Sequence, residues 1–568
     1  MRKRWIACAG AVLAIVSAGI SQGLTVVVDP TVKYQQFEGW GTSLCWWAHQ
    51  EGGGSATYLS RIADVLMDPD SGLGYSIFRY NIGGGDQPGK TDIPANRAIP
   101  GYKPAETGPY DWTADVNQRN IVAVLAAKGK KINQEVIFEA FSNSPPWWMT
   151  VSGCAGGNPT GADNLKAAYF GTFADYLTEV IKHFRDSLGI SFRTVDPFNE
   201  PSAGWWKCSN NQEGCNFKNE QPRMVKLLGK SLVAKGLFPA TQVSAADENS
   251  ISSAINGFKT YDDSAVSYVS QINTHGYSGR SAANFVAFAA LGVSKKKILW
   301  MSESGPLSGT GGQDIAMFMA QEIIEDLKLM KVNAWIDWQS YAGGGSWETI
   351  RVDKNTLAII PAPRCYMQAA FGRFIRPGSQ IIESNDPNTL AALVPRTGNL
   401  VIIVRNGGTS SISYTFDLSK VTRLPAGVHV YQYLVSAYQT LSKLPDAAIS
   451  NKQFTITAPA QSITTCAVPN VVDSTITATR PSPSPSRRIA LEFNCNNQRG
   501  LSIRLPSAGI YSLVAYSSSG RKVAAVNREG VAGVNIVEGN VLRLPQGIYF
   551  AQIRQKENQA SGTIMVIK

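Results

Sequence analysis

The chain alternates between two hydrophobic rhythms. Short apolar or β-branched runs near 36–41, 77–81, 134–141, 194–199, 242–246, 268–274, 297–303 and 334–339 read as strands buried on both faces. Between several of them, as over 165–184 and 314–330, apolar residues recur every three or four positions and predict amphipathic helices. Eight strand–helix units in this order predict an α/β fold, a (β/α)8 TIM barrel. The β-branched run 25–29 predicts a further strand ahead of the barrel. From about 356 the helical pattern is expected to stop, and alternating runs at 400–405, 411–416 and 429–434 predict a side β-sandwich that offers 25–29 a partner.

Beyond the sandwich, 475–488 contains Pro-Ser-Pro-Ser-Pro-Ser, which has no means of building a core and reads as a linker. A small C-terminal all-β domain follows. It contains two similar strand starts, Gly509-Ile510-Tyr511-Ser512-Leu513 and Gly547-Ile548-Tyr549-Phe550-Ala551. The expected organisation is a signal segment 1–22, the catalytic barrel 23–355 (its first strand joining the sandwich), the β-sandwich 356–471, the linker 472–488 and the C-terminal β-domain 489–568. The signal reading rests on the order Met1-Arg2-Lys3-Arg4, an apolar run from Trp5 to Val16, then Ser17-Ala18-Gly19. That run is too short to span a bilayer and no later one reaches the length, so export without membrane insertion is expected.

Charge and composition narrow the function. The net charge is +11, but Arg2, Lys3, Arg4 and the segment beyond 471 hold most of it. The middle of the chain lacks a basic stripe, which excludes nucleic acid as its partner. Only 17% of residues are charged, and 13 are Trp, a balance that suits stacking on the apolar faces of sugar rings. Cys208 and Cys215 sit seven apart in a Gly/Asn-rich loop, and an exported chain permits a disulfide between them. Cys45, Cys154, Cys365, Cys466 and Cys495 cannot be paired from sequence. The chain has only four His, too few to suggest a metal site. Gly83-Gly84-Gly85-Asp86 lacks the Lys-Ser/Thr of a phosphate loop, so no cofactor is expected.

Two carboxylates stand out. Glu200 closes Thr194-Val195-Asp196-Pro197-Phe198-Asn199-Glu200-Pro201, and Glu303 closes Ile298-Leu299-Trp300-Met301-Ser302-Glu303. Each sits where a barrel strand would open onto the catalytic face. Glycosidic cleavage needs such a pair: one acid protonates the leaving oxygen while the other attacks carbon or activates water.

Five motifs in order resemble glycoside hydrolase family 30: Phe37-Glu38-Gly39-Trp40-Gly41-Thr42-Ser43, Phe78-Arg79-Tyr80-Asn81-Ile82-Gly83-Gly84-Gly85, Ser144-Pro145-Pro146-Trp147-Trp148-Met149, Asn199-Glu200-Pro201 and Ser302-Glu303-Ser304-Gly305. Within the family, 41–48 and 150–154 look most like endo-β-1,6-galactanases. The resemblance implies a barrel with a side sandwich and a retaining mechanism, with Glu200 as acid/base and Glu303 as nucleophile. Glu200 then needs a raised pKa, and Glu303 needs a cation or donors to keep it ionised. Arg79 is the candidate cation. Asn199 is placed for the hydroxyl next to the reacting carbon, Tyr277 to donate to Glu303, His275 to bind substrate or pack, and Trp338 to floor the sugar pocket. One of Trp147 and Trp148 is expected to face the cleft. Trp205 and Trp206 are candidates for the leaving-group side. Asp247, Glu248 and Asn249 are placed to reach sugar hydroxyls. In the 42–47 loop, Thr42 or Ser43 is expected to read the axial hydroxyl of galactose, with Trp46 or Trp47 as a wall.

The implied substrate is the β-1,6-galactan side chains of arabinogalactan. The alternatives are β-1,6-glucanase, xylanase or glucosylceramidase-like activity, or a non-catalytic sugar-binding protein. The tail resembles sorting domains of type IX secretion substrates, which would make secretion machinery a partner; a carbohydrate-binding module is the competing reading. A monomer is expected.

Overall fold

The computed structural model describes residues 23–89, 93–306 and 313–472, and in the C-terminal region the strands between 490 and 566. The signal segment, nearly all of the Pro/Ser linker, and Cys8 and Cys495 lie outside the described residues. Eight parallel strands close into a barrel: β2 (Gly39–Ser43), β3 (Ile77–Asn81), β4 (Ile137–Phe141), β5 (Thr194–Asp196), β6 (Gln242–Ser250), β7 (Val269–Ser278), β8 (Ile298–Ser304) and β9 (Ala334–Asp337). Closure is between β2 and β9, with Trp40 opposite Trp335. The strands read as unbroken buried runs, as the covering helices require: Ile77–Asn81 and Gly39–Ser43 are buried at every position. Gly41 is forced by close approach, because a Cβ there would lie 2.2 Å from the Ile77 carbonyl oxygen. At the N-terminal end of the barrel, Glu38 accepts from Arg193 (2.7 Å) and from the indole of Trp300 (2.8 Å).

Helices follow each strand, among them Phe170–His183 after β4 and Gln313–Lys328 after β8. The expectation that helices stop near 356 is corrected. Pro363–Gly372 is a ten-residue helix, started by Pro363 in its first turn. It packs on Gln313–Lys328 and on strands of the sandwich, so it completes the barrel and joins it to its neighbour.

Strand β1 (Leu24–Gln36) belongs to the sandwich. It pairs antiparallel with Gln380–Ser384 and parallel with Ile412–Asp417, and so bridges both faces. Val26, Val28, Ile402, Phe416 and Phe454 form part of its separate core. The barrel and sandwich are tied by Lys328, which is 9% exposed. Its ammonium donates to the carbonyls of Ser384 (2.8 Å), Asp386 (2.6 Å) and Thr389 (2.8 Å) and to the Ser384 hydroxyl (3.0 Å).

Residues 479–568 form a second compact unit. Its described strands make a three-stranded and a four-stranded sheet. The two Gly-Ile-Tyr starts open neighbouring antiparallel strands, Gly509–Ser517 and Gly547–Gln555. Among the described residues no helix is long and apolar enough to cross a membrane.

Replacing Lys328 by Met leaves buried carbonyls without a donor, so stability should fall by about 2–4 kcal/mol. Urea unfolding measures this; a variant within about 0.5 kcal/mol of wild type would contradict the tether.

Candidate active site

The C-terminal ends of the barrel strands open into a cleft of about 690 Å³. Glu200, just beyond β5, and Glu303, in β8, both line it. An oxygen of each lies with a ring nitrogen of His275 in a cluster whose atoms are all within 4.8 Å of one another. Glu200 takes a left-handed backbone (φ 48°), held by its N–H donating to the Asp247 carbonyl at 2.8 Å. The amide of Asn249 donates to Glu200 Oε1 at 2.7 Å. On Glu303, Tyr277 donates to Oε1 at 2.9 Å and the Arg79 guanidinium lies 3.6 Å from Oε2.

Beneath the pair sits a charged network with almost no solvent contact. Arg79 donates to Glu139 (2.9 Å), Asp247 (2.6 Å) and the Ser302 carbonyl (3.0 Å). His275 places Nδ1 3.2 Å from Glu200 and 3.5 Å from Glu303, with Nε2 3.2 Å from Asp247. Burial opposes charge on His275, but Glu303 and Asp247 prevail and hold the imidazole protonated, well above its ordinary value. Burial likewise works against Asp247, yet Arg79 and His275 hold it well below the usual carboxylate range. For Glu303 burial wins: against His275 and Arg79, and aided by Glu200, it pushes the carboxyl up to about 7. The sequence had led us to expect the opposite for Glu303, a carboxyl kept easily ionised. Its enclosure, 4% exposed, is the reason.

Glu200, His275 and Glu303 are also the one group with metal-like spacing among the described residues. His275 faces a carboxylate through each ring nitrogen, an arrangement that suits acid–base chemistry.

The cleft walls are aromatic and amide-rich. Trp46 and Trp338 meet edge to face at 6.2 Å, and Trp347 meets Tyr277 at 6.2 Å. Asn143, Asn199, Asn249 and Gln339 add polar groups. Asn199 presents a buried Oδ1 with no partner. Trp206 lines the same cleft and donates its indole N–H to the Glu200 carbonyl at 2.8 Å.

Several expected substrate contacts are corrected. Asp247 and His275 are each 0% exposed and offer no surface to a sugar, His275 taking the packed alternative, while the equally buried Arg79 stands beside Glu303 as the expected cation rather than on the sugar. Neither Trp147 nor Trp148 is among the residues that line the cleft; their indole N–H groups donate to the carbonyls of Pro104 and Lys103. Thr42 and Ser43 are buried, and their hydroxyls are used locally, Thr42 donating to the Ser43 carbonyl and Ser43 accepting from the Cys45 N–H. Trp47 stacks on Tyr341 in the core, leaving Trp46 as that loop's contribution to the wall. The disulfide joins Cys154 to Cys208, not Cys208 to Cys215. The loop after β4 comes so close that a Cβ on Gly156 would lie 3.1 Å from the Cys208 Cα, while Cys215 points into the core as a free thiol. Gln339, Trp347 and Asn143 were missed. Gln339 and Trp347 follow β9 and Asn143 follows β4, so position beyond a strand end was the signal available.

The family model for O-glycosyl hydrolase family 30 matches residues 23–290. An endo-beta-1,6-galactanase of Hypocrea rufa is 31% identical over 431 residues, covering 72% of this chain and 86% of that protein. Among solved structures, a conserved exported protein from Bacteroides fragilis superposes with a TM-score of 0.65 at 18% identity, over 78% of this chain and 100% of that one. The catalytic domain of a family 30 xylanase C from Talaromyces cellulolyticus gives 0.60 at 18% identity, over 78% of this chain and 99% of that domain. These structural likenesses speak to the fold.

Because Asn249 fixes one oxygen of Glu200, Asn249→Ala should lower kcat about tenfold on substrates with poor leaving groups. The loss should be smaller on activated aryl glycosides, whose departure needs little proton donation. Steady-state rates on both substrate types check this; an equal loss on the two would count against the contact's role.

Proposed function

The chain belongs to O-glycosyl hydrolase family 30, and from that membership we propose a secreted, retaining, endo-acting hydrolase of the β-1,6-galactan side chains of arabinogalactan. The observation that carries the mechanism is the spacing of the two cleft carboxylates, with oxygens of Glu200 and Glu303 within 4.8 Å. Retaining enzymes keep their carboxyls about 5–5.5 Å apart, whereas inverting ones leave roughly 6.5–9.5 Å for a water molecule.

In the first step a Glu303 oxygen attacks the anomeric carbon. The bond from that carbon to the glycosidic oxygen breaks as Glu200 gives that oxygen its proton. In the second step a water attacks the same carbon, Glu200 takes the water's proton, and Glu303 leaves as carboxylate. One proton must reside in the pair at the start, and the raised Glu303 carboxyl supports this. Positive charge developing on the sugar favours the anion at Glu303, and His275 Nδ1 touches both acids. Tyr277 and Arg79 then meet the negative charge. We assign Asn199, which lines the cleft beside Glu200, to the neighbouring sugar hydroxyl, a contact that strengthens in the oxocarbenium-like transition state. These steps need no cofactor or metal.

The galactan assignment is supported by the Hypocrea rufa relative. With Thr42 and Ser43 enclosed, Asn143 and Gln339 are the polar wall residues we assign to reading the axial hydroxyl. Export is supported by the N-terminal pattern and by the Cys154–Cys208 disulfide, which persists in oxidising compartments. For the tail, whose two Gly-Ile-Tyr strands are neighbours, we propose sorting or surface attachment through secretion machinery. We propose that the enzyme acts as a monomer.

Digestion of β-1,6-galactan and β-1,6-glucan under identical conditions, followed by proton NMR of the first-formed reducing ends, tests the reading. The galactan should be cleaved faster, by at least about tenfold for a site that hydrogen-bonds the axial hydroxyl, giving mixed oligosaccharides whose new ends begin as the β-anomer. Faster glucan cleavage would overturn the galactan assignment, and α-anomer appearing first would overturn retention.

A further inference from the structure

We propose that Trp205 is the platform for a sugar unit of the polymer lying beyond the enclosed cleft, on the leaving-group side; this rests on the reading of Glu200 as the acid/base. Among the described residues, Trp205 (42%) and Trp347 (36%) are the only tryptophans that are substantially exposed. Trp347 lines the cleft, and Trp205 touches Trp206, which also lines it. An exposed indole offers an apolar face on which a sugar ring can stack.

The side follows from Glu200. The acid/base delivers its proton to the leaving oxygen, so the loop it opens flanks the departing chain. Trp205 is five residues along that loop. Its ring meets Trp206 at 6.0 Å and 64°. Trp206 cannot shift, because it is wedged against Gly157 and Gly214; a Cβ on Gly214 would come within 2.1 Å of its ring. Three fastenings hold the rest of the loop. Cys208 is bonded to Cys154. Glu213 reaches back to accept from the Asn81 amide (2.8 Å) and the Gly84 N–H (3.3 Å). The Asn216 amide donates to the Ala203 carbonyl at 3.1 Å. Gly204, beside Trp205, has nothing within 4 Å of where a Cβ would stand, so the crest of the loop is open. The result is a loop backbone held in place beneath an exposed indole, so that a sugar ring can stack there without first ordering the loop.

The test compares kcat/KM on a long polymer with kcat/KM on a short aryl β-glycobioside that ends inside the cleft. The polymer is whichever of galactan or glucan the wild type cleaves faster. For Trp205→Ala the polymer-to-short ratio should fall about tenfold, mainly through KM. Trp205→Phe should fall between wild type and Trp205→Ala, and it guards against misfolding of the alanine variant. A ratio within about twofold of wild type in both variants overturns the platform, as does a proportionate loss on both substrates. Glucan as the better polymer would overturn the galactan reading alone, since the Trp205 ratio is then read on glucan.

Discussion

A single buried guanidinium organises the catalytic end of this barrel. Arg79 has no solvent contact and shares its donors between Glu139 on β4 and Asp247 on β6, while lying 3.6 Å from Glu303 on β8. Stripping water from such a cation costs several kcal/mol, which only well-placed carboxylates return. The protonated His275 is the second cation. Against these two stand Glu139, Asp196, Asp247, Glu200 and Glu303, more carboxyls than the cations can neutralise. The cluster answers by keeping protons: burial, with Asp247 and Glu139, drives Asp196 well above its ordinary range, and Glu303 is pushed up to about 7. The two-step displacement we propose needs this condition, an anion and a proton held together in one cleft.

The same network sets the geometry. Asp247 and Glu200 both take left-handed backbone, φ 53° and 48°. The carbonyl of Asp247 accepts from the N–H of Glu200, so the ends of β5 and β6 are coupled where the Glu200 carboxyl is aimed. Such conformations cost of order 1 kcal/mol each in ordinary residues and persist where their surroundings insist on them. Arg364, from the last barrel helix, does similar work on the opposite wall. It donates to the carbonyls of Trp338, Gln339 and Trp347 and pairs with Asp337 at 2.9 Å. The cleft is thus framed by buried cations that hold carboxylates on one side and backbone on the other.

Much of the fold was legible because parallel strands buried on both faces leave continuous apolar runs. The run 77–81 coincides with β3, and each of the other seven overlaps a barrel strand. The carboxylates were legible because Glu200 and Glu303 end two such runs. What sequence hid was which polar residues face inward. Arg79, Asp247 and His275 sit at strand ends, as sugar-binding residues do, yet they point into the barrel, and only three-dimensional closure decides that. The disulfide was hidden for a related reason. Cys154 and Cys208 are 54 residues apart, and the approach of their loops is set by glycines at 156 and 157 that have no pairing signature. The last helix was missed because Pro363 opens it, and proline inside an apolar stretch reads as a break unless its place at a helix start is recognised.

The central claim is that Glu303 becomes covalently bound to sugar while Glu200 manages the proton. A 2-deoxy-2-fluoro galactobiosyl fluoride tests it directly. The fluorine slows breakdown of the glycosyl-enzyme by disfavouring the oxocarbenium-like transition state, and mass spectrometry of a proteolytic digest locates the label. The account predicts a stable adduct on the peptide containing Glu303, at its carboxylate. A label on Glu200, or turnover of the fluoride with inverted product and no adduct, would contradict it.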